Sequence, residues 1–174
     1  MSSRCQKWTL KAKEARREAS HAGIMFDGII SPMAILNARD EQEVRKQFQQ
    51  LNDPVKLVVF SQSLTAADLC AENEQLVREV AGLSDKINVE VLNLAIDRDR
   101  AEAYGVDQVP AIVVEGARDY GIRFYGVPTG YEFSNLIDAI IVASTGEPAL
   151  SDDTKASLAA LAGLVDIKVF STPT

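Results

Sequence analysis

The sequence predicts an α/β domain built on one mixed sheet. Three observations carry this. The apolar period switches repeatedly between that of a helix and that of a strand across residues 37–144. The run VKLVVF at 55–60 is apolar almost without interruption, as a strand covered on both faces must be. The elements from Val55 onward follow the order β-α-β-α-β-β-α. Composition agrees, with 47% hydrophobic and 25% charged residues in 174, which is a globular balance.

Taken in order, NARDEQEVRKQFQQL (37–51) has acids early and Val44, Phe48 and Leu51 at helical spacing, then stops at Asn52-Asp53-Pro54. The strand VKLVVF follows. Residues 65–83 (TAADLCAENEQLVREVAGL) predict a helix with Thr65 as N-cap, Asp68 three residues on, and Leu69, Leu76, Val80 and Leu83 as the buried stripe. KINVEVLNL (86–94) alternates with period two and is a second strand. Residues 97–104 form a short helix closed by Gly105. VPAIVVEG is a third strand introduced by a proline, and IRFYGV a fourth, joined to it as a hairpin through residues 116–121. Residues 129–144 give a last long helix with Phe133, Leu136, Ile137, Ile140 and Ile141 inward.

An alternating first half implies parallel strands with a crossover helix, and the hairpin adds an antiparallel edge. The thioredoxin fold is the leading architecture with that order. Residues 1–33 stand apart: KWTLKAKEARREA is basic and weakly amphipathic, and HAGIMFDGIISP is broken by glycines and a proline. They are an N-terminal extension, either appended to the domain or a loosely docked part of it. Residues 34–150 make the domain itself. In residues 151–174, DDTKASLAALAGL is again helical, with Leu158, Leu161 and Leu164 spaced by threes, and DIKVFS repeats VKLVVFS. A helix and strand repeated in that way mark a tandem unit. The expectation is the start of a second, truncated unit, with its strand at 166–170 docked beside the first sheet; chance similarity of two strands is the alternative.

Several function classes are disfavoured. A net charge of -7 offers no basic stripe to nucleic-acid phosphates or anionic lipid. No apolar run is long enough to span a bilayer and the first residues lack a signal-peptide layout, so a cytoplasmic protein is expected. Two cysteines, Cys5 and Cys70, and one histidine, His21, suggest neither a disulfide framework nor a metal site. The glycines have no nucleotide-binding order, and no cofactor is expected. Asp97, Asp99 and Glu102 are expected on a solvated helix face.

The segments VKLVVFSQ, EQLVREVAGLSDKINVEVLNL, AEAYGVDQVPAIVV, YGIRFYGVPTGYEF and VDIKVFSTPT together resemble the protein disulfide oxidoreductases, glutaredoxin-like proteins with two thioredoxin folds. They also resemble the N-terminal domain of the flavoprotein subunit of alkyl hydroperoxide reductase. The resemblance implies a nucleophilic cysteine at the start of the first long helix, where unpaired N–H groups favour a thiolate, and a resolving cysteine three residues on. Here Ala67 falls on the nucleophile position and Cys70 on the resolving position, so no catalytic pair is intact. Cys70, beside Leu69 in an amphipathic helix, is better read as a small core residue than as a reactive thiol. Val109-Pro110 matches the family's cis-proline, whose preceding backbone pairs with an extended peptide; a trans strand-opening proline is the alternative. The implied function is a redox-inactive domain of a thiol-disulfide oxidoreductase that supports or docks an active one. A peptide-binding or dimerisation module using the same groove is the alternative. The partners so implied are a thiol- or disulfide-bearing protein or peptide, a second thioredoxin-like domain, or a second copy.

Overall fold

The computed structural model describes residues 34–64 and 66–170. The chain divides into two compact units, Met1–Ala34 and Ile35–Thr174, and all that follows concerns the second. Thr65, the expected N-cap, and the extension with Cys5 and His21 lie outside the described residues.

Asn37 opens the first helix, α1 (Ala38–Gln47), its side chain accepting the N–H groups of Arg39 and Asp40, and a 3-10 turn at Phe48–Gln50 ends it. Then come β1 (Val55–Ser61), α2 (Ala67–Ala81), β2 (Ile87–Asn93), α3 (Arg98–Tyr104), β3 (Ala111–Glu115), β4 (Asp119–Tyr125), α4 (Tyr131–Thr145) and α5 (Asp152–Ala159). The strands form a sheet in the order β2-β1-β3-β4. β1 pairs parallel with β2 and antiparallel with β3, and β3 and β4 form the antiparallel hairpin with a register shift at Val114 and Glu115.

β1 is central, which explains its apolar sequence. Val55, Leu57 and Val59 face one cluster with Val44, Phe48, Leu76, Val80, Leu136 and Ile140, contributed by α1 with its turn, α2 and α4. Val58 and Phe60 face the other, with Ala101, Val106 and Val113 under α3. Each fully buried aliphatic side chain contributes roughly 1.5–3 kcal/mol. α3 is held to the sheet by charge: Glu90 on β2 pairs with Lys56 on β1 at 2.6 Å and with Arg100 on α3 at 2.9 Å. Hydrogen bonds from Lys56 and then Arg100 hold the Glu90 carboxyl below its ordinary range.

Three expectations are corrected. The stripe of α2 is rotated by one residue: Leu69 is 50% exposed, while Cys70 and Asn73 turn inward with Leu76, Val77 and Val80. The 70-73-77-80 spacing follows the helical repeat more closely than a stripe begun at Leu69. Asp97 is no solvated face residue, since its Oδ2 accepts the Asn93 N–H at 2.7 Å and closes the turn into α3. The strand expected at 166–170 is not formed: α5 ends at Ala159, and residues 161–170 carry neither helix nor strand and are exposed. The sheet edges are β2 and β4, and neither pairs with that segment. An apolar strand without a ladder partner gains nothing from its pattern. Among the described residues, no helix is long and apolar enough to cross a membrane.

Candidate functional site

The carboxyl ends of β1 and β2 meet the start of β3 at one end of the sheet, because Phe60 lies beside both Leu92 and Ala111. The loop from β1 into α2 and the Val109–Pro110 turn into β3 therefore share that end. All the residues singled out for function arrive there.

At α2, Ala66 takes the left-handed conformation (φ 52, ψ 38) and makes no side-chain cap. Its carbonyl accepts the Cys70 N–H at 2.9 Å. Ala67, Asp68 and Leu69 are exposed in this first turn, whereas Cys70 is 2% exposed. The helix thus presents the Ala67 methyl group at its exposed start and keeps the Cys70 sulfur inside.

At β3, the Val109–Pro110 peptide bond is cis. Pro110 is buried and its carbonyl accepts the Gly126 N–H at 2.9 Å, tying the turn to the end of β4. Val109 is half-buried and packs on the cluster under α3. The sheet ladder begins at Ala111, and the Val109 N–H and C=O take part in none of the loop hydrogen bonds among the described residues.

The third turn is fixed by Asn93, whose Oδ1 accepts the N–H groups of Ala95 at 3.0 Å and Ile96 at 3.2 Å. It holds Ile96 outward, 81% exposed, and Leu64 in the β1–α2 loop is 92% exposed. Leu64, Leu69 and Ile96 are thus exposed apolar side chains on the β1–α2 loop, the first turn of α2 and the β2–α3 loop, and sequence periodicity singled out none of them as exposed.

Sequence reasoning also missed Asn73. It lies on the inward face of α2, one turn beyond Cys70, fully buried, and neither Oδ1 nor Nδ2 has a hydrogen-bond partner. A polar residue inside the stripe Cys70-Asn73-Leu76-Val80 was the available signal. A buried amide left unpaired costs about 1–3 kcal/mol.

The chain matches no protein-family model. It is 24% identical to a protein disulfide oxidoreductase of Aeropyrum pernix, with a TM-score of 0.62 over 73% of this chain and 56% of that one. It is 23% identical to the alkylhydroperoxide reductase component AhpF of Enterococcus faecalis, with a TM-score of 0.66 over 72% of this chain and 61% of that one. The fold is thioredoxin-like. Over 53 residues the chain is also 43% identical to a probable thioredoxin of Methanothermobacter marburgensis, covering 30% of this chain and 58% of that protein. The chain spans between 20% and 59% of the length of the curated relatives it matches.

Proposed function

We propose that this thioredoxin-like domain performs no thiol-disulfide exchange of its own and instead docks an extended segment of a thiol- or disulfide-bearing protein, in support of an active domain. The observation that carries this reading is Ala67 at the exposed start of α2, with Cys70 buried three residues later.

Disulfide reduction needs a thiolate that attacks one sulfur of the substrate and expels the other as a thiolate, leaving a mixed disulfide. A second thiol must then attack the protein's own sulfur, closing an internal disulfide and releasing the substrate as a dithiol. The domain offers no sulfur for the first attack at position 67. The buried Cys70 thiol has no mixed disulfide to resolve. Docking needs none of this chemistry. It uses the unengaged Val109 N–H and C=O for strand addition and the exposed Leu64, Leu69 and Ile96 side chains for apolar contact.

Insulin reduction with dithiothreitol as electron donor tests the reading. The chain is expected to give the same precipitation rate as its Cys70→Ala variant and as buffer; a rate above Cys70→Ala would overturn redox inactivity. The docking half is tested by titrating a blocked nonapeptide of alternating valine and serine into isotope-labelled protein. Shifts are expected at the Val109 and Ala111 amides, and an unchanged spectrum there removes the docking role.

A further inference from the structure

A cavity of about 360 Å³ opens among the end of β1, the β2–α3 loop and α3, with Asp107, two residues before Val109, in its lining. Its floor is apolar, formed by half-buried Leu94 and the buried Ala101 and Val106. Its rim is polar. Gln62 follows β1, Arg98 and Glu102 sit on α3, and Asp107 lies in the loop that runs directly into Val109.

The rim groups are uncommitted. Arg98 and Glu102 are one helical turn apart, yet the ion pairs of the described residues include neither of them, nor Asp107. Two carboxylates against one guanidinium leave the rim one charge negative, on a chain whose net charge is -7. An apolar floor under an anionic rim suits a side chain with a methylene stem and a cationic head, because the stem is removed from water while the head stays at the acidic edge.

We infer that this cavity is a specificity pocket for a lysine or arginine side chain of the docked peptide. The inference rests on the docking reading above. A strand paired with Val109 directs alternate side chains to the same face, so one residue of it enters the pocket while its main chain stays on the edge. Selection is electrostatic at the rim and apolar at the floor: a neutral side chain of equal length satisfies only the floor, and an acidic one meets Glu102 and Asp107 as like charges.

The test uses the full chain and blocked nonapeptides of alternating valine and serine, in which lysine, norleucine or glutamate replaces each position in turn. Amide shifts at Ala101 and Val106 report the pocket; those at Val109 and Ala111 report the edge. At one position, lysine is expected to bind about fivefold tighter than norleucine, as two partly exposed ion pairs provide, and glutamate weaker than both. The Glu102→Gln, Asp107→Asn double variant is expected to lose that preference while still binding the norleucine peptide. Equal affinities with edge shifts intact would overturn the pocket and leave docking standing. No shifts at Val109 with any peptide would overturn both.

Discussion

Ser144 on α4 engages both polar groups of the Asp53 backbone: its Oγ accepts the Asp53 N–H at 3.0 Å and donates to the Asp53 carbonyl at 2.6 Å. The same oxygen accepts the Asn52 N–H at 2.9 Å. Its one donor and two acceptor positions are all used. The last long helix is thereby pinned to the turn that launches the central strand. Ser144→Ala leaves two N–H groups and a carbonyl without this partner and is expected to cost about 1–3 kcal/mol, measured as a lower urea midpoint with an unchanged slope. An unchanged midpoint would show that water replaces the hydroxyl.

Glu79 anchors the start of the unit in a comparable way. Its carboxylate accepts the N–H groups of Ile35 and Leu36, each at 2.9 Å, and the Gln75 amide at 2.8 Å. Burial alone would raise this carboxyl, but the bonds from Leu36, Gln75 and Ile35 outweigh it and hold it below its usual range. A depressed carboxyl contributes stability that is present above its unfolded pKa of about 4.3 and is lost as pH falls through the folded value. Urea midpoints between pH 6 and pH 3 are expected to fall less steeply for Glu79→Gln than for the parent chain. Parallel curves would contradict this.

Gly116, in the β3–β4 hairpin, has an ordinary φ, yet a Cβ there would lie 2.0 Å from the Ala143 carbonyl oxygen and 2.8 Å from its carbon. Both are backbone atoms of α4 and cannot step aside as a side chain would. Gly116→Ala is expected to destabilise the domain by about 3 kcal/mol, the upper range of overpacking. Thermal unfolding reads the effect, and a melting temperature within error of the parent would show that the hairpin moves freely against α4.

Asn73 makes the opposite prediction. Replacing an unpaired buried amide by a side chain of similar shape removes a desolvation penalty, so Asn73→Leu is expected to stabilise by about 1 kcal/mol. A drop in the urea midpoint would mean that the amide has a partner in solution, such as a buried water.

The element order was legible because β1, β2 and α4 carry uncompromised periodicities; Ala67, Cys70 and Val109-Pro110 were singled out through the family resemblance, and the elements bring them to one end of the sheet. What escaped was contact over distance. Ser144 reaches Asp53 across 91 residues and Glu79 reaches Ile35 across 44, and neither link leaves a periodic trace. Leu69 and Cys70 are adjacent and both apolar, so their order along the stripe depended on where α2 begins. The repeat at 166–170 was a true pattern of strand residues, but a strand is made by its neighbours, and among the described residues none flanks it.

That unpaired segment also leads to an expectation about self-association. Leu164, Val165, Ile167, Val169 and Phe170 are 57–107% exposed, a sticky strip on a molecule that carries a net charge of -7. Like net charge opposes contact between copies most strongly at low ionic strength, and raising salt weakens that opposition by shrinking the screening length from about 30 Å at 0.01 M to about 8 Å at 0.15 M. Self-association, followed by light scattering, is therefore expected to strengthen as salt rises, the reverse of an assembly held by ion pairs.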